Sequence, residues 1–465
     1  MSDEIWKAAH EAIERIKADR QGAPQRIVSI ASPEEAAAIR RKAAPNQPRS
    51  LPEVIDEAAR IFAHRVRMDH PRFYGFIPSP ASPLSFVGYL LTAGFNAHAG
   101  SWMQSSGPSA IEQGLIAWLA KQVGLPDEAG GLFVSGGSMA NLTGLMLARD
   151  RMLPPEDRRK GVAYLSAQTH SSVAKGLGIL GFLPDQIRKV PVDDGRRIDL
   201  ESLADACAAD RAAGLLPCVV VANCGTTNTG SIDDLHAIAD FTAHEGLWMH
   251  VDGAYGATVA LSARHRALAD GLGRADSLSW DAHKWLFQTY GCGMVLVRDR
   301  THLIESFANN AEYLQDAIAG METPNFWDYG VELTRPARAM KLWFTLQVMG
   351  ENALGHAIDH GIALAKALEA QLRSLPGWQI VSPAQLGIVT FRYAPDGQDG
   401  DGLDELNTRI ARHMIDSNLG APLTTKLDGL VVMRACTISP DASESDIRSM
   451  AIAMDEAARE IAQQG

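Results

Sequence analysis

The chain has 465 residues, of which 46% are hydrophobic and 21% charged, and a formal net charge of -12. At roughly 100–200 residues per domain that length allows two or three domains, with a core large enough to need neither disulfides nor a structural metal. The acidic balance argues against a nucleic-acid coat protein. Five scattered cysteines (Cys207, Cys218, Cys224, Cys292 and Cys436) form no CxxC pair and describe neither a disulfide framework nor a zinc site. Residues 1–20 are charged throughout and lack a signal-peptide apolar region. The longest apolar stretches, near 84–95 and 215–222, fall far short of the roughly 20 residues that a bilayer requires. A cytoplasmic protein is the expectation.

Residues 5–20 place Ile5, Ala9, Ile13 and Ile16 near helical spacing, and residues 51–67 do so with Val54, Ala58, Ile61 and Phe62. A Pro-containing connection, 43–52, reads as the loop between them. These two helices look like an appendage that clasps a partner subunit. From about residue 110, helices alternate with short apolar runs. The spacing predicts a helix over 110–123, a strand over 131–135, a helix over 139–150, a strand over 162–166, a helix over 171–180 and a strand over 217–223. A helix over 231–245 follows, with Ser231 as N-cap and Asp234 at N3. Strands come next at 247–252, 277–281 and 293–297. Short apolar strands separated by helices predict a mainly parallel sheet covered on both faces. A long helix over 337–350, strands at 388–393 and 430–437 and a last helix from Glu444 predict a smaller C-terminal α+β domain. The expected division is a helical segment at 1–75, a large domain at 76–345 and a small domain at 346–465.

The most informative stretch is Ser279-Trp280-Asp281-Ala282-His283-Lys284-Trp285, which ends a predicted strand in a polar turn, where open α/β sheets place their ligands. A lysine at such an end is ordinarily just solvated. A second strand end runs from Leu247 into Asp252, Gly253 and Ala254. Asp252 alone reads as a turn former or helix cap. Next to a cationic ring nitrogen it reads as the paired carboxylate, with Gly253 and Ala254 leaving room for a flat cofactor. Gly225-Thr226-Thr227-Asn228-Thr229-Gly230 supplies hydroxyls after the strand 217–223, and Ser135-Gly136-Gly137-Ser138 leads into a helix whose N-terminus attracts phosphate. A GGS run serves a tight turn equally well, and His170 by itself reads as a loop histidine. Together the five loops offer an amine, a carboxylate, a phosphate cradle, a stacking imidazole and hydroxyls. Those are the parts that a pyridoxal 5'-phosphate site requires. The lysine amine binds the aldehyde, and the carboxylate keeps the pyridine nitrogen protonated, so that the ring can take up the electrons of a carbanion.

Five ordered motifs carry a family resemblance: 70–78 (His-Pro-Arg-Phe-Tyr-Gly-Phe-Ile-Pro), 167–173 (Ala-Gln-Thr-His-Ser-Ser-Val), 225–227 (Gly-Thr-Thr), 250–255 (His-Val-Asp-Gly-Ala-Tyr) and 281–285 (Asp-Ala-His-Lys-Trp). In them the chain resembles the group II pyridoxal-phosphate-dependent amino acid decarboxylases, especially the aromatic-L-amino-acid decarboxylase branch. The likeness runs from residue 70 to 348, and more loosely to 434. It implies a fold-type-I α/β architecture, with a mainly parallel seven-stranded sheet between helices, an N-terminal helical segment and a small C-terminal α+β domain. It further implies that Lys284 is the Schiff-base lysine, Asp252 the pyridinium partner and His170 the stacking histidine, with His283 beside the site. Thr227 and Ala254 then face the cofactor ring, and Gly137 and Ser138 match phosphate-binding positions. Phe76, Ile77, Pro78, His98, Trp102 and Phe326 are the candidate substrate-pocket residues. The resemblance also implies an obligate homodimer with its site at the subunit interface and interlocked N-terminal helices. An amino acid is the expected small-molecule partner, without nucleic acid or membrane. No metal is expected, since the spacing of His236, His244 and His250 fits no metal motif.

The sequence departs from the family at three places. Counting back from Arg335, Arg338 and Lys341, the position of the loop tyrosine that protonates the carbanion holds Phe326, and Tyr329 lies three residues on. In related enzymes a phenylalanine there accompanies aldehyde formation with oxygen consumption. Gly100 stands where aromatic decarboxylases carry an aromatic residue, which widens the pocket around His98. Asp281 stands where several relatives have a neutral Asn near the phosphate. The expected reaction is decarboxylation of an aromatic L-amino acid to its amine. Oxidative formation of an aldehyde is the alternative, followed by a glutamate or diaminobutyrate decarboxylase and by an aminotransferase. Arg434 is unassigned, because a decarboxylase gains nothing from gripping the ground-state carboxylate.

Overall fold

The computed structural model describes residues 2–22, 26–78, 80–308, 322–395 and 400–464. Seven strands form the main sheet: β1 (Gly130–Val134), β2 (Gly161–Ser166), β3 (Ile187–Val190), β4 (Leu216–Asn223), β5 (Trp248–Asp252), β6 (Ser277–Trp280) and β7 (Gly293–Val297). Their order is β1-β7-β6-β5-β4-β2-β3. The β3, β2, β4, β5 and β6 neighbours are parallel, and β7 runs antiparallel to both β6 and β1. β1, β2, β5, β6 and β7 are buried along their whole length, as strands covered on both faces must be. A second sheet, wholly antiparallel, contains β8 (Trp378–Gln385), β9 (Ile388–Tyr393), β10 (Leu423–Leu427) and β11 (Leu430–Cys436) in the order β10-β11-β9-β8. It packs with the helices Asp401–Asp416 and Glu444–Gln463 around a core of its own that includes Phe391, Met414, Met433 and Met454.

Several expected helices differ in extent: the one expected at 110–123 begins at Trp102, and the one expected at 51–67 ends at Ala63. The helix expected from Ser231 starts at Leu235, with the Asp234 side chain capping the Ala237 N–H at 3.0 Å. Ser231 cannot cap it, because its hydroxyl is used elsewhere: it lies 2.9 Å from Thr226 Oγ1 and donates to the Arg196 carbonyl at 3.0 Å. The long helix expected at 337–350 runs over Ala339–Arg373 and carries a kink at Gly350, where φ is 75°. Only glycine adopts that conformation at little cost, so the chain can turn there and resume its helix. The expected domain boundary at 345 lies inside this element.

Candidate active site

The parallel strands β4, β5 and β6 end side by side, and their register sets Asn223 beside Asp252 and Asp252 beside Ser279. Facing these ends is the N-terminus of the helix Gly137–Met152. A cavity of about 490 Å³ opens between them, lined by Gly137, Ser138, His170, Thr227, Asp252, Ala254, His283 and Lys284 together with Phe76, Ile77 and Pro78. Every cofactor-binding residue expected from the sequence therefore meets in one place.

Asp252, the last residue of β5, is held by donors from three elements. Its Oδ1 accepts from the Ala254 N–H at 3.2 Å and the Ser279 hydroxyl at 3.3 Å, and its Oδ2 accepts from Asn141 Nδ2 at 3.0 Å. His170 is the N-cap of the helix Ser171–Ile179, and its Nδ1 accepts the Ser172 N–H at 3.2 Å. Accepting there leaves the ring proton on Nε2. Burial holds His170 below the usual imidazole range, opposed by Asp252 and assisted by Lys284. Lys284 sits in the turn after β6, where its N–H donates to the Asp281 carbonyl at 3.2 Å.

At the other end of the cavity Asp281, only 2% exposed, accepts the Gly137 N–H through Oδ2 at 2.9 Å. Its Oδ1 lies 2.8 Å from His283 Nδ1, an ion-pair distance without hydrogen-bond geometry. The glycine floor is required by close packing. A Cβ on Gly136 would lie 2.8 Å from His283 Cε1, and one on Gly137 would lie 3.1 Å from the Ala254 Cβ.

Within the single chain His98, Trp102 and Phe326 lie apart from the residues that line this cavity. They form a second cluster of the same chain. His98 packs edge-on against Trp327 at 6.1 Å, the Trp102 N–H donates to Asn325 Oδ1 at 2.9 Å, and the Trp327 N–H donates to the Gly100 carbonyl at 3.0 Å. Phe326 is buried between the Tyr329 ring, 5.5 Å away, and the Arg335 guanidinium, 5.1 Å above it. Burial raises the Tyr329 hydroxyl above its usual range, and it shares a separate cavity of about 290 Å³ with Phe326.

Sequence reasoning missed Asn141, Ser172 and Asn223, which also line the cofactor cavity, and left Arg434 unassigned. Asn141 does carry a signal, standing one helical turn after Gly137. Arg434 reaches in from β11, with Nη1 donating to the Thr227 carbonyl at 3.0 Å and Nη2 to the Gly75 carbonyl at 2.7 Å.

The donor set fits pyridoxal phosphate. A flat, glycine-floored cavity has a lysine and an aspartate at neighbouring strand ends and a helix N-terminus at one end. Fold and site thus define a fold-type-I pyridoxal-phosphate enzyme. The family model described as the pyridoxal-dependent decarboxylase conserved domain matches residues 33–394, and the chain belongs to that family. It is an amino acid decarboxylase that uses pyridoxal phosphate. The chain is 40% identical over 403 residues to an aromatic-L-amino-acid decarboxylase of Bacillus atrophaeus, covering 86% of this chain and 84% of the relative. It is 30% identical over 418 residues to a phenylacetaldehyde synthase of Arabidopsis thaliana, covering 87% and 85%. The crystal structure of Oryza sativa TDC with PLP and tryptamine superposes with a TM-score of 0.92 at 26% identity, covering 99% of this chain and 98% of that one.

Proposed function

We propose that the enzyme removes CO2 from an aromatic L-amino acid and releases the corresponding amine. The observation that carries this reading is the apolar wall Phe76-Ile77-Pro78 in the same cavity as Lys284 and Asp252. The similarity to an aromatic-L-amino-acid decarboxylase supports it. Pyridoxal phosphate, when bound, supplies an electron sink for the carbanion that CO2 leaves behind. Lys284 Nζ would hold the cofactor through its aldehyde. Asp252, fixed by its donors, holds a proton at the ring nitrogen. His170, with its neutral imidazole, would hold the ring from one side, and Thr227 and Ala254 line the same cavity. The Ser138 hydroxyl and the N–H groups at the helix terminus would hold the phosphate and so fix the cofactor's orientation. Phe76, Ile77 and Pro78 exclude water from an aromatic side chain.

The same reading makes the protein a cytoplasmic homodimer. Residues 1–75 form the clasp, 76–345 the cofactor domain and 346–465 the small domain. Apolar side chains left open on the single chain, including Phe62, Phe95 and Met103, support the dimer. Five buried cysteines without a disulfide support the location. None of the described helices is long and apolar enough to cross a membrane. Light scattering should give the mass of two chains, and Phe95→Asp with Met103→Asp should give one.

The catalytic test follows CO2, amine, aldehyde and peroxide together, with tyrosine, DOPA, tryptophan, phenylalanine, glutamate and diaminobutyrate as substrates. Amine matching CO2 from an aromatic substrate is the expected result, and Lys284→Ala should abolish both CO2 release and the cofactor's visible absorbance. Activity confined to glutamate or diaminobutyrate would overturn the substrate class. Phe326 favours a second reading, in which each aldehyde formed consumes one O2 and one water and releases CO2, ammonia and hydrogen peroxide. On that reading peroxide matches CO2, and Phe326→Tyr restores amine.

A further inference from the structure

His250 is fully buried, and none of the chemistry above uses it. Trp248, His250 and Asp252 alternate along β5 and so share one face of the sheet, and Ser277 of β6 stands in register with His250. An indole N–H can only donate, so Trp248 Nε1 gives its hydrogen bond to Ser277 Oγ at 2.8 Å. Ser277 Oγ keeps its own proton, which it can donate to His250 Nδ1, also 2.8 Å away. Burial pushes His250 down to about 4, against the opposing pull of Asp252, so its ring is neutral near pH 7. With Nδ1 accepting, the single ring proton stands on Nε2 and is donated to Asn141 Oδ1 at 2.9 Å. That contact fixes which way the Asn141 amide faces. Its nitrogen donates to Asp252 Oδ2 at 3.0 Å and to Ser172 Oγ at 3.2 Å, and Ser172 Oγ meets His170 Nδ1 at 2.8 Å. From the acceptor-only carboxylate of Asp252 backwards, the Asn141 amide, the neutral His250 ring and the Ser277 hydroxyl each have one direction left, and the donor-only indole of Trp248 completes the series.

The backbone makes room for this arrangement. A Cβ on Gly144 would stand 2.6 Å from His250 Cε1 and 2.7 Å from its Nδ1, so the helix Gly137–Met152 can approach β5 only through a glycine there.

We propose that Trp248, Ser277, His250 and Asn141 form a one-way relay that fixes Asp252 in the orientation and charge state needed at the cofactor's ring nitrogen. His250 and Asn141 are positioning residues, acting through Asp252 rather than on the substrate. The proposal rests on the assignment of Asp252 given above. Lys284, His170 and Cys224 are the other titratable groups close enough to act on Asp252 or share its surroundings.

Two readouts on the holoenzyme test it: the dissociation constant of pyridoxal phosphate, and the pH midpoint of its visible absorbance. His250→Phe and Asn141→Leu should each weaken cofactor binding about tenfold, the scale of one hydrogen bond to a charged group. Each should also move the midpoint by at least about half a pH unit. Ser277→Ala, which removes no atom touching Asp252, should move it in the same direction by less, and this small change keeps the test open if His250→Phe fails to fold. Relay variants that leave both readouts within twofold of wild type, while Asp252→Asn alters them, would overturn the relay alone. An Asp252→Asn variant that behaves like wild type would overturn the assignment of Asp252 and the relay with it. Lower melting temperatures with an unmoved midpoint would reduce these residues to packing and sink the proposal.

Discussion

Asp281 is the residue most at odds with its surroundings. Its carboxylate takes the Gly137 N–H at 2.9 Å, one of the donors that a helix N-terminus offers to an anion. It therefore competes in charge with the phosphate that the same terminus is proposed to hold. His283, 2.8 Å from the other oxygen, offsets part of that charge when protonated. Asp281→Asn keeps an oxygen for Gly137 and removes the charge. It should tighten pyridoxal phosphate binding about tenfold, since a like charge within a few ångströms costs one to a few kcal/mol near a protein surface. Binding of pyridoxal, which lacks the phosphate, should stay within twofold. Absorbance titrations with the two ligands measure the difference, and equal effects on both would show that Asp281 acts on something other than the anion.

At the scale of elements, one guanidinium joins four segments. Arg335 Nη1 donates to the Ala99 carbonyl at 2.7 Å, and Nη2 donates at 2.6 Å to both Glu112 Oε1 and the Phe133 carbonyl. Phe326 packs under it. Both charged side chains are completely buried, so removing one strands the other in a low-dielectric interior. Glu112→Ala should cost about 3–5 kcal/mol in urea unfolding, and the paired change Glu112→Leu with Arg335→Met should cost less. No sequence pattern announces this pair, because Glu112 and Arg335 meet only in the folded chain. The strands that were legible are those buried along all or most of their length, such as β2, β4 and β5. β3, with Arg188 and Lys189 at the sheet edge, and β8 and β10, which mix half-buried and exposed positions at the edges of the small sheet, lack a continuous apolar run and were not read. The cofactor residues were legible for a related reason: Asp252 ends its strand, and Lys284 and Thr227 stand in the loops just beyond theirs, which the sequence marks by a sudden change from apolar to polar. Asn141 and Ser172 lie within helices, where polarity marks nothing, and the cluster that His98, Trp102 and Phe326 form with residues 325–335 joins segments too far apart in the chain for any sequence spacing to announce.

At the scale of the whole molecule, the two sheets meet around the cofactor cavity. β11 sends Arg434 into it, and the Gly387 N–H donates to the Tyr255 hydroxyl at 2.9 Å, with the Tyr255 ring stacked on Trp285 at 5.0 Å. The two sheets therefore share buried polar contacts at the cavity, and groups that resist protonation there act on the stability of the whole chain. His250 is the clearest case. Its folded value is about 4 against an ordinary 6.5. Between those values the unfolded chain binds the proton and the folded chain does not, so stability rises with pH across that window. The contribution is complete above about pH 6.5 and is lost as the pH falls toward 4, to the extent of about 3 kcal/mol at 1.36 kcal/mol per unit. Burial lowers His70 and His170 in the same direction, so the wild-type slope is a sum. Subtracting the His250→Phe slope isolates one residue. Urea midpoints of the cofactor-free chain, measured from pH 7 to pH 4.5, should fall more steeply for wild type than for the variant. Parallel slopes would mean that His250 takes up its proton inside the fold at an ordinary pH, and that no neutral imidazole stands between Ser277 and Asn141.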